Sequence, residues 1–270
     1  MRGSFITIIT VFLVCLTAGH GPVLAQTLTP FARPDVAPRP VEDRSQVDLE
    51  LVLAVDISYS VDEEEARRQR AGYVAALASE QVLRSIQSGL HGRIAVTYVE
   101  WADSGMQRTA ADWSVIETEA DALAFADQVA NAPYVRGNYT AIGAAIVDSV
   151  ARLDNNTYSA PRQVIDISGD GPQNQGVSLV EARARADAAG VVVNGLPVIQ
   201  PDGASRYAAE MDLEGYFERE VMTGSDAFVL PARSEDEFRQ AILRKLVLEI
   251  AGASPSPQEL RPSPDSGFAP

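Results

Sequence analysis

The sequence predicts an α/β fold: a three-layer, doubly wound arrangement with a mainly parallel sheet, one antiparallel edge strand and helices on both faces. Short apolar runs alternate along the chain with segments of helical periodicity. This alternation is typical of parallel strands joined by crossover helices. The run at residues 51–55 is wholly apolar, as expected of a strand covered on both faces. The more polar stretch at residues 106–113 predicts the edge strand.

In the first half of the chain, the apolar runs predict strands at residues 49–55, 93–101 and 106–113. The segments with helical periodicity predict helices at residues 62–86, 118–130 and 140–153. Acidic residues 62–65 open the first helix, where the helix dipole favours negative charge. Tyr73, Val74 and Leu77 supply its inward stripe at helical spacing.

In the second half, the predicted strands cover residues 163–168, 191–196 and 227–230. The predicted helices cover residues 178–189, 204–221 and 234–251. Ser178 and Ser234 are each followed three residues later by a glutamate, which is the pattern of a capping box at a helix start. Gly190 and Gly252 follow the last periodic residues of these two helices and are expected to end them.

Both ends of the chain differ in composition from its middle. Residues 1–25 combine a positive Arg2, an apolar run and a small-x-small cleavage pattern, which predicts a signal peptide. The alternative is an N-terminal membrane anchor. Residues 26–46 are proline-rich and predict an extended linker, and residues 253–270 predict a disordered Pro/Ser-rich tail. The folded domain is therefore expected at residues 47–252.

The charge balance and the rare residue types restrict the function. The chain has 22 Lys and Arg against 37 Asp and Glu, and loss of Arg2 with the signal peptide changes the net charge from −15 to 21 − 37 = −16. An acidic surface argues against nucleic acid and anionic lipid as partners. Cleavage also removes Cys15, the only cysteine, so the mature chain would have no disulfide. We expect an exported protein, periplasmic or secreted, with no membrane span after signal cleavage.

Three stretches predict one divalent-cation site. Asp56, Ser58 and Ser60 follow the first strand at alternate positions, so in an extended loop their side chains would face the same way. Asp170 follows the strand at 163–168, and parallel strands place their carboxyl ends at one edge of the sheet, where ligands bind. Thr140 adds a hydroxyl after a glycine-flanked turn. The alternative is that Ser58 and Ser60 only cap the following helix.

The predicted ligands are hard oxygen donors. Carboxylate and hydroxyl oxygens suit Mg²⁺, Mn²⁺ or Ca²⁺ rather than zinc or copper. Mg²⁺ takes six ligands and keeps some water, so one or two carboxylates plus hydroxyls would leave a coordination position open. The loop 169–176 lacks the Gly-Lys-Ser/Thr of a phosphate-binding Walker loop.

The same stretches resemble a known family. Residues 55–60, Thr140 within 137–143, and residues 168–171 look like the metal-ion-dependent adhesion site of von Willebrand factor type A domains. The resemblance covers residues 47–251 and is close to an exported bacterial subgroup, the DUF1194 proteins, through residues 98–102, 167–171 and 227–232. It implies that Ser58, Ser60 and Thr140 are hydroxyl ligands. Asp56 and Asp170 would coordinate directly or through water, and a partner's Asp or Glu would complete the shell. Gly169 departs from the pattern, since many such domains have Thr or Ser there.

The predicted function is therefore a metal-dependent protein-binding module and not an enzyme. His91, the only histidine after signal cleavage, precedes the second strand and falls at the opposite edge of the sheet, which argues against a Ser-His-Asp triad. A Mg²⁺-dependent phosphoryl hydrolase is the alternative, but Ser58 stands where such enzymes of the haloacid dehalogenase type have a second Asp. The lone Lys245 is expected far from the site. A scaffold with a vestigial metal site is the other alternative.

Three further polar residues have predicted roles. Glu100 ends the second strand and is expected either in a water network around the ion or in a buried pair with an arginine such as Arg136. Asp166 lies inside an apolar strand and is expected to be a satisfied structural carboxylate. Asn174 is expected to brace the loop that follows Asp170.

Overall fold

A computed structural model describes residues 45–199 and 211–253. The predicted signal peptide, the linker up to residue 44 and the tail from residue 254 lie outside the described residues. So do residues 204–210 of the predicted helix at 204–221. Gln46, at the end of the predicted linker, forms an isolated parallel bridge with Ser159.

The sheet has five strands, and four of them are parallel. The strands are β1 (Glu50–Asp56), β2 (Ile94–Trp101), β3 (Gln107–Ile116), β4 (Gln163–Gly169) and β5 (Val192–Pro197). Their order across the sheet is β3-β2-β1-β4-β5, and only β3, at one edge, is antiparallel to its neighbour. The chain therefore leaves β1 in one direction and returns on its other side at β4. This makes the gap between the carboxyl ends of β1 and β4 the switch point of the sheet.

Helices cover both faces of the sheet. They are α1 (Glu63–Leu77), α2 (Glu80–Gln87), α3 (Glu119–Asn131), α4 (Ile142–Asp154), α5 (Leu179–Ala189), α6 (Leu213–Tyr216) and α7 (Glu235–Ala251). A π turn at Phe217–Val221 directly follows α6. Leu51 and Leu53 of β1 pack in a core with α1, α2, α3 and α7, whereas Val52 and Ala54 pack in a second core with α4, α5 and α6. This alternation along β1 confirms the three-layer α/β/α architecture.

Side-chain caps fix several helix starts. Asp62 accepts a hydrogen bond from the backbone N–H of Glu65 at the start of α1. The predicted caps Ser178 and Ser234 accept from the N–H three residues later. Gly190 and Gly252 end their helices in the left-handed conformation, which glycine adopts at little cost.

The structure corrects three of the predicted elements. The first helix is not continuous to residue 86, because Ser79 caps a new helix through the N–H of Val82. The segment 213–221 is a short helix and a π turn. In the predicted strand at 227–230, Val229 forms only an isolated bridge with Gly195 of β5, and a second isolated bridge joins Ala232 to Val198. Pro231 between these two bridges has no N–H to donate to a ladder.

None of the helices described in residues 45–199 and 211–253 is long and apolar enough to cross a membrane.

Candidate metal centre

The two carboxylates of the predicted site lie at the switch point. Asp56 is the last residue of β1, and Asp170 directly follows β4, the neighbouring parallel strand. Asp56 is 1% exposed. The rule that parallel strands bring their carboxyl ends to one edge therefore places both acids together, although they are 114 positions apart in sequence.

The Asp56 carboxyl is buried with only one of its oxygens satisfied. Its Oδ1 accepts a hydrogen bond from the backbone N–H of Ser58 at 2.7 Å. Its Oδ2 is buried and has no partner within hydrogen-bond geometry in the described part of the chain. Burial, and next the charge of Asp170, raise the pKa of Asp56 well above its ordinary value, while hydrogen bonds from Ser58 act in the opposite direction. An ionised Asp56 therefore lacks a compensating positive charge at Oδ2.

The two serines connect this loop to Asp170. Ser60 Oγ donates to Asp170 Oδ1 at 2.7 Å, and the Ser58 and Ser60 hydroxyls lie 3.3 Å apart. Burial raises the pKa of Asp170, and the hydrogen bond from Ser60 partly offsets that effect. Four of the five predicted ligands thus belong to one contiguous cluster of oxygens.

Thr140, the fifth predicted ligand, is held beside the loop that follows Asp170. Its backbone N–H donates to Asn174 Oδ1 at 2.9 Å, and its carbonyl accepts from the N–H of Asn174, also at 2.9 Å. This pair of bonds confirms that Asn174 braces the loop. Gln173 adds a bond from the N–H of Gly143 in the first turn of α4, at 2.6 Å.

Asp103 is a positioning residue that the sequence reasoning missed. Its carboxylate accepts from the N–H of Tyr139 at 2.8 Å and faces the N–H of Asn138 at 3.3 Å, and so fixes the turn before Thr140. Asp103 follows β2 at the same edge of the sheet. The strand-end rule selected Glu100 on β2, and it would have found Asp103 if it had been extended two residues past the end of that strand.

The donor set fits a hard divalent cation. Within residues 45–199 and 211–253, no group of three or more His, Cys, Asp and Glu side chains is arranged to hold a metal. The candidate centre instead combines two carboxylates with hydroxyls, and Asp56 Oδ2 is an orphaned acceptor inside it. Hydroxyl and carboxylate oxygens are the ligands that Mg²⁺, Mn²⁺ and Ca²⁺ prefer.

Glu100 belongs to a buried ion pair rather than to the metal cluster. It is 1% exposed, and its Oε1 accepts from Nε of Arg70 at 2.6 Å while its Oε2 pairs with Arg108. The buried-pair interpretation is therefore right, but the suggested partner was wrong. Arg136 instead donates to the carbonyl of Tyr59 and stacks on that ring, with Cζ 4.1 Å from the ring centroid.

Three other residues singled out in the sequence lie away from the metal cluster. His91 precedes β2 and donates its backbone N–H to Asp48, at the opposite end of the sheet from Asp56. Lys245 is not at the metal edge but contacts Asp166 in the core, at 2.7 Å. Asp166 is a buried structural carboxylate as expected, but it is not fully satisfied, because neither of its oxygens has a hydrogen-bond partner among the described residues.

Comparison with protein families gives one match. The family described as "Protein of unknown function (DUF1194)" matches residues 46–254, which is most of the chain. No match was found among curated proteins.

Several solved structures share the fold. One is proximal thread matrix protein 1 from the mussel byssus with a zinc-occupied metal-ion-dependent adhesion site, at TM-score 0.56 and 16% identity, over 76% of this chain and 48% of that one. The pilus adhesin SpaC from Lactobacillus rhamnosus GG gives TM-score 0.55 and 15% identity over 76% and 30%. A von Willebrand factor type A protein from Catenulispora acidiphila gives 0.54 and 13% over 76% and 43%. The chain spans less than half the length of each, and at these identities the likeness is one of fold.

Proposed function

The chain belongs to the DUF1194 family and has the von Willebrand factor type A fold, and from this premise we propose that it is an exported metal-dependent binding module. A divalent cation is held by Asp56, Ser58, Ser60, Thr140 and Asp170. The cation then recruits a carboxylate of a protein partner.

The observation that carries this proposal is the unpaired Oδ2 of Asp56. A buried carboxylate oxygen without a hydrogen bond is costly, and a second buried carboxylate beside it increases the cost. Protein structures tolerate such an arrangement where a cation compensates it. The bond between Ser60 and Asp170 places further oxygens beside the two acids.

A partner carboxylate follows from the number of ligands. The centre offers two carboxylates and three hydroxyls, whereas Mg²⁺ takes six oxygens and readily keeps water. An acidic side chain that displaces such a water would meet the cation directly. The metal-occupied site of the byssus protein and the adhesin SpaC support this interpretation by analogy of fold. Mg²⁺ is the proposed ion, with Mn²⁺ or Ca²⁺ as alternatives.

The proposed module has no catalytic role. A hydrolase at this edge would need a general base or a cationic group near Asp56. His91 lies at the other end of the sheet, and Lys245 is enclosed in the core with Asp166. The guanidinium of Arg136 is engaged by the carbonyl and the ring of Tyr59. Export remains part of the proposal and rests on the sequence of residues 1–25.

A chelator-controlled capture experiment tests the partner. The chain without residues 1–25 is immobilised. Envelope and secreted proteins from the organism that produces it are then passed over it, with Mg²⁺ or with a chelator. We expect a protein that is retained with Mg²⁺, released by the chelator and not retained by Asp56→Asn. Asp236→Asn is the matched control, because Asp236 is exposed on α7 and should leave retention unchanged. Equal retention with and without the chelator would rule out metal-dependent binding.

A further inference from the structure

A second cluster of charged side chains lies in the core between β4, β5 and α7. Asp166 of β4 and Lys245 of α7 have no exposed surface, and Glu249, one turn after Lys245, is 2% exposed. Asn194 of β5 is the register partner of Asp166 and is also buried. The candidate metal centre uses none of these four residues.

The amine of Lys245 lies between two carboxyl groups that differ in their hydrogen bonding. Its Nζ is 2.5 Å from Glu249 Oε1, and that oxygen also accepts from Asn194 Nδ2 at 2.9 Å. Nζ is also 2.7 Å from Asp166 Oδ1. Yet neither oxygen of Asp166 has a partner in hydrogen-bond geometry among the described residues, so the amine approaches this carboxyl outside the direction of a hydrogen bond. Glu249 Oε1 is thus held as an acceptor, whereas Asp166 is not.

The surroundings favour the neutral forms of the two carboxyl groups. Burial raises the pKa of Asp166 and raises that of Glu249 to about 7, and in both cases Lys245 opposes the shift. An aromatic ring also borders the amine: the centroid of the Phe228 ring lies 5.6 Å from Nζ of Lys245. A buried carboxyl that carries a proton presents an electrophilic carbon, and an amine without its extra proton is a nucleophile. A neighbouring acid with a pKa near neutrality can move protons between the two.

We propose that Lys245 and Asp166 become joined by an intramolecular amide bond, which the folded chain forms by itself. Nζ of Lys245 bonds to Cγ of Asp166, and one Cγ–O bond of that carboxyl breaks. Glu249 first moves one proton from the ammonium to Asp166, which leaves a neutral amine and a neutral carboxyl group. It then moves a second proton from Nζ to the departing oxygen as the C–N bond forms, so that this oxygen leaves as water. An ammonium and a carboxylate are converted into an amide and one water molecule, so that no oxidant, reductant or other reactant is needed.

Two physical effects drive this reaction in the folded state. The core holds the reacting groups in contact, which removes most of the entropy cost of bringing them together. The product also replaces two buried charges by a neutral amide, and buried charges are costly even when paired. The bond would connect β4 covalently to α7, the last helix described.

Mass spectrometry of the full chain tests the proposal. The purified protein is denatured, digested and searched for a branched peptide in which Lys245 and Asp166 are joined. We expect that peptide. We also expect the measured mass of the intact protein to be lower, by one water molecule, than the mass calculated from its sequence. Separate linear peptides that contain Lys245 and Asp166 with unchanged mass would overturn the proposal. So would a loss of water that maps to any other residue.

Two variants separate chemistry from folding. Glu249→Gln retains the size of the side chain but cannot shuttle the proton, and should lose the branched peptide. Asp236→Asn, exposed on the same helix, should retain it at the wild-type level. Persistence of the branched peptide in Glu249→Gln would overturn the role of Glu249. The digest of the wild-type chain decides the existence of the bond even where a variant fails to fold.

Discussion

The backbone of Gly169 lies against the carboxyl of Asp56: a Cβ atom at position 169 would be 3.2 Å from Asp56 Oδ2. This is the same oxygen that lacks a hydrogen-bond partner. The departure from the family pattern at position 169 therefore has a local consequence, because the absence of a side chain leaves space beside the orphaned oxygen of the candidate metal centre.

Gly169→Ala should crowd that oxygen. The added methyl group must displace Asp56 by a few tenths of an ångström, and we expect a loss of about 1 kcal/mol in unfolding free energy and weaker cation binding. Urea denaturation and a Mg²⁺ titration measure the two effects. Gly105→Ala is the matched control, since a Cβ there meets nothing within 4 Å. Equal behaviour of the two variants would show that Gly169 is not needed for the site.

Asp56→Asn should stabilise the metal-free protein. An asparagine Oδ1 can still accept from the N–H of Ser58, while the unpaired negative charge beside Asp170 is removed. We expect a gain of about 1–3 kcal/mol in unfolding free energy in the presence of a chelator. We also expect that Mg²⁺ no longer raises the melting temperature of this variant. A variant less stable than wild type in chelator, and still stabilised by Mg²⁺, would contradict a cation site at Asp56.

The stability of the metal-free protein should depend on pH through Asp56. Its pKa is raised in the folded state above 3.8, so the folded chain binds this proton more tightly than the unfolded chain does. The resulting stabilisation is complete below about pH 3.8 and is lost as the pH rises through the higher pKa of the folded state. The unfolding free energy of wild type minus that of Asp56→Asn should therefore fall as the pH rises above about 3.8 in chelator. A pH-independent difference would contradict the raised pKa.

Glu100→Ala should destabilise the domain strongly. It leaves the buried guanidinium of Arg70, and that of Arg108, without their carboxylate. Removing one partner of a buried ion pair costs about 3–5 kcal/mol, which denaturant unfolding measures. Glu80→Ala removes an exposed pair with Arg84 and should change stability little. If the two variants unfolded alike, Glu100 would not be the structural centre of this network.

Much of the fold and part of the site could be predicted because they depend on local patterns. The apolar run of β1 and the position of Asp56 at its end are visible in sequence, and the rule for parallel strands then places Asp170 at the same edge. The oxygens of Ser58 and Ser60 follow from alternation in a loop. Thr140 was predicted from its position after a glycine-flanked turn and supported by the family resemblance, and Asn174 turns out to be the residue that holds it.

The errors concern pairings that depend on how distant elements pack. Glu100 meets Arg70 through the packing of α1, which no sequence spacing specifies. Arg108 is its register partner on the neighbouring strand β3, and that register was not predicted. Lys245 was predicted to lie far from the metal site because it belongs to the last helix, and this prediction is correct. The contact with Asp166 arises from the packing of α7 on β4 and has no local signal.

The central claim, a cation bound at Asp56, is tested most directly by calorimetry on the chain without residues 1–25. Mg²⁺ and Mn²⁺ are titrated into the wild type, Asp56→Asn and Asp236→Asn. We predict saturable heats of binding with one ion per chain for the wild type and Asp236→Asn, and heats no larger than dilution for Asp56→Asn. Equal, negligible heats for all three proteins would contradict the claim and leave a scaffold with a vestigial site.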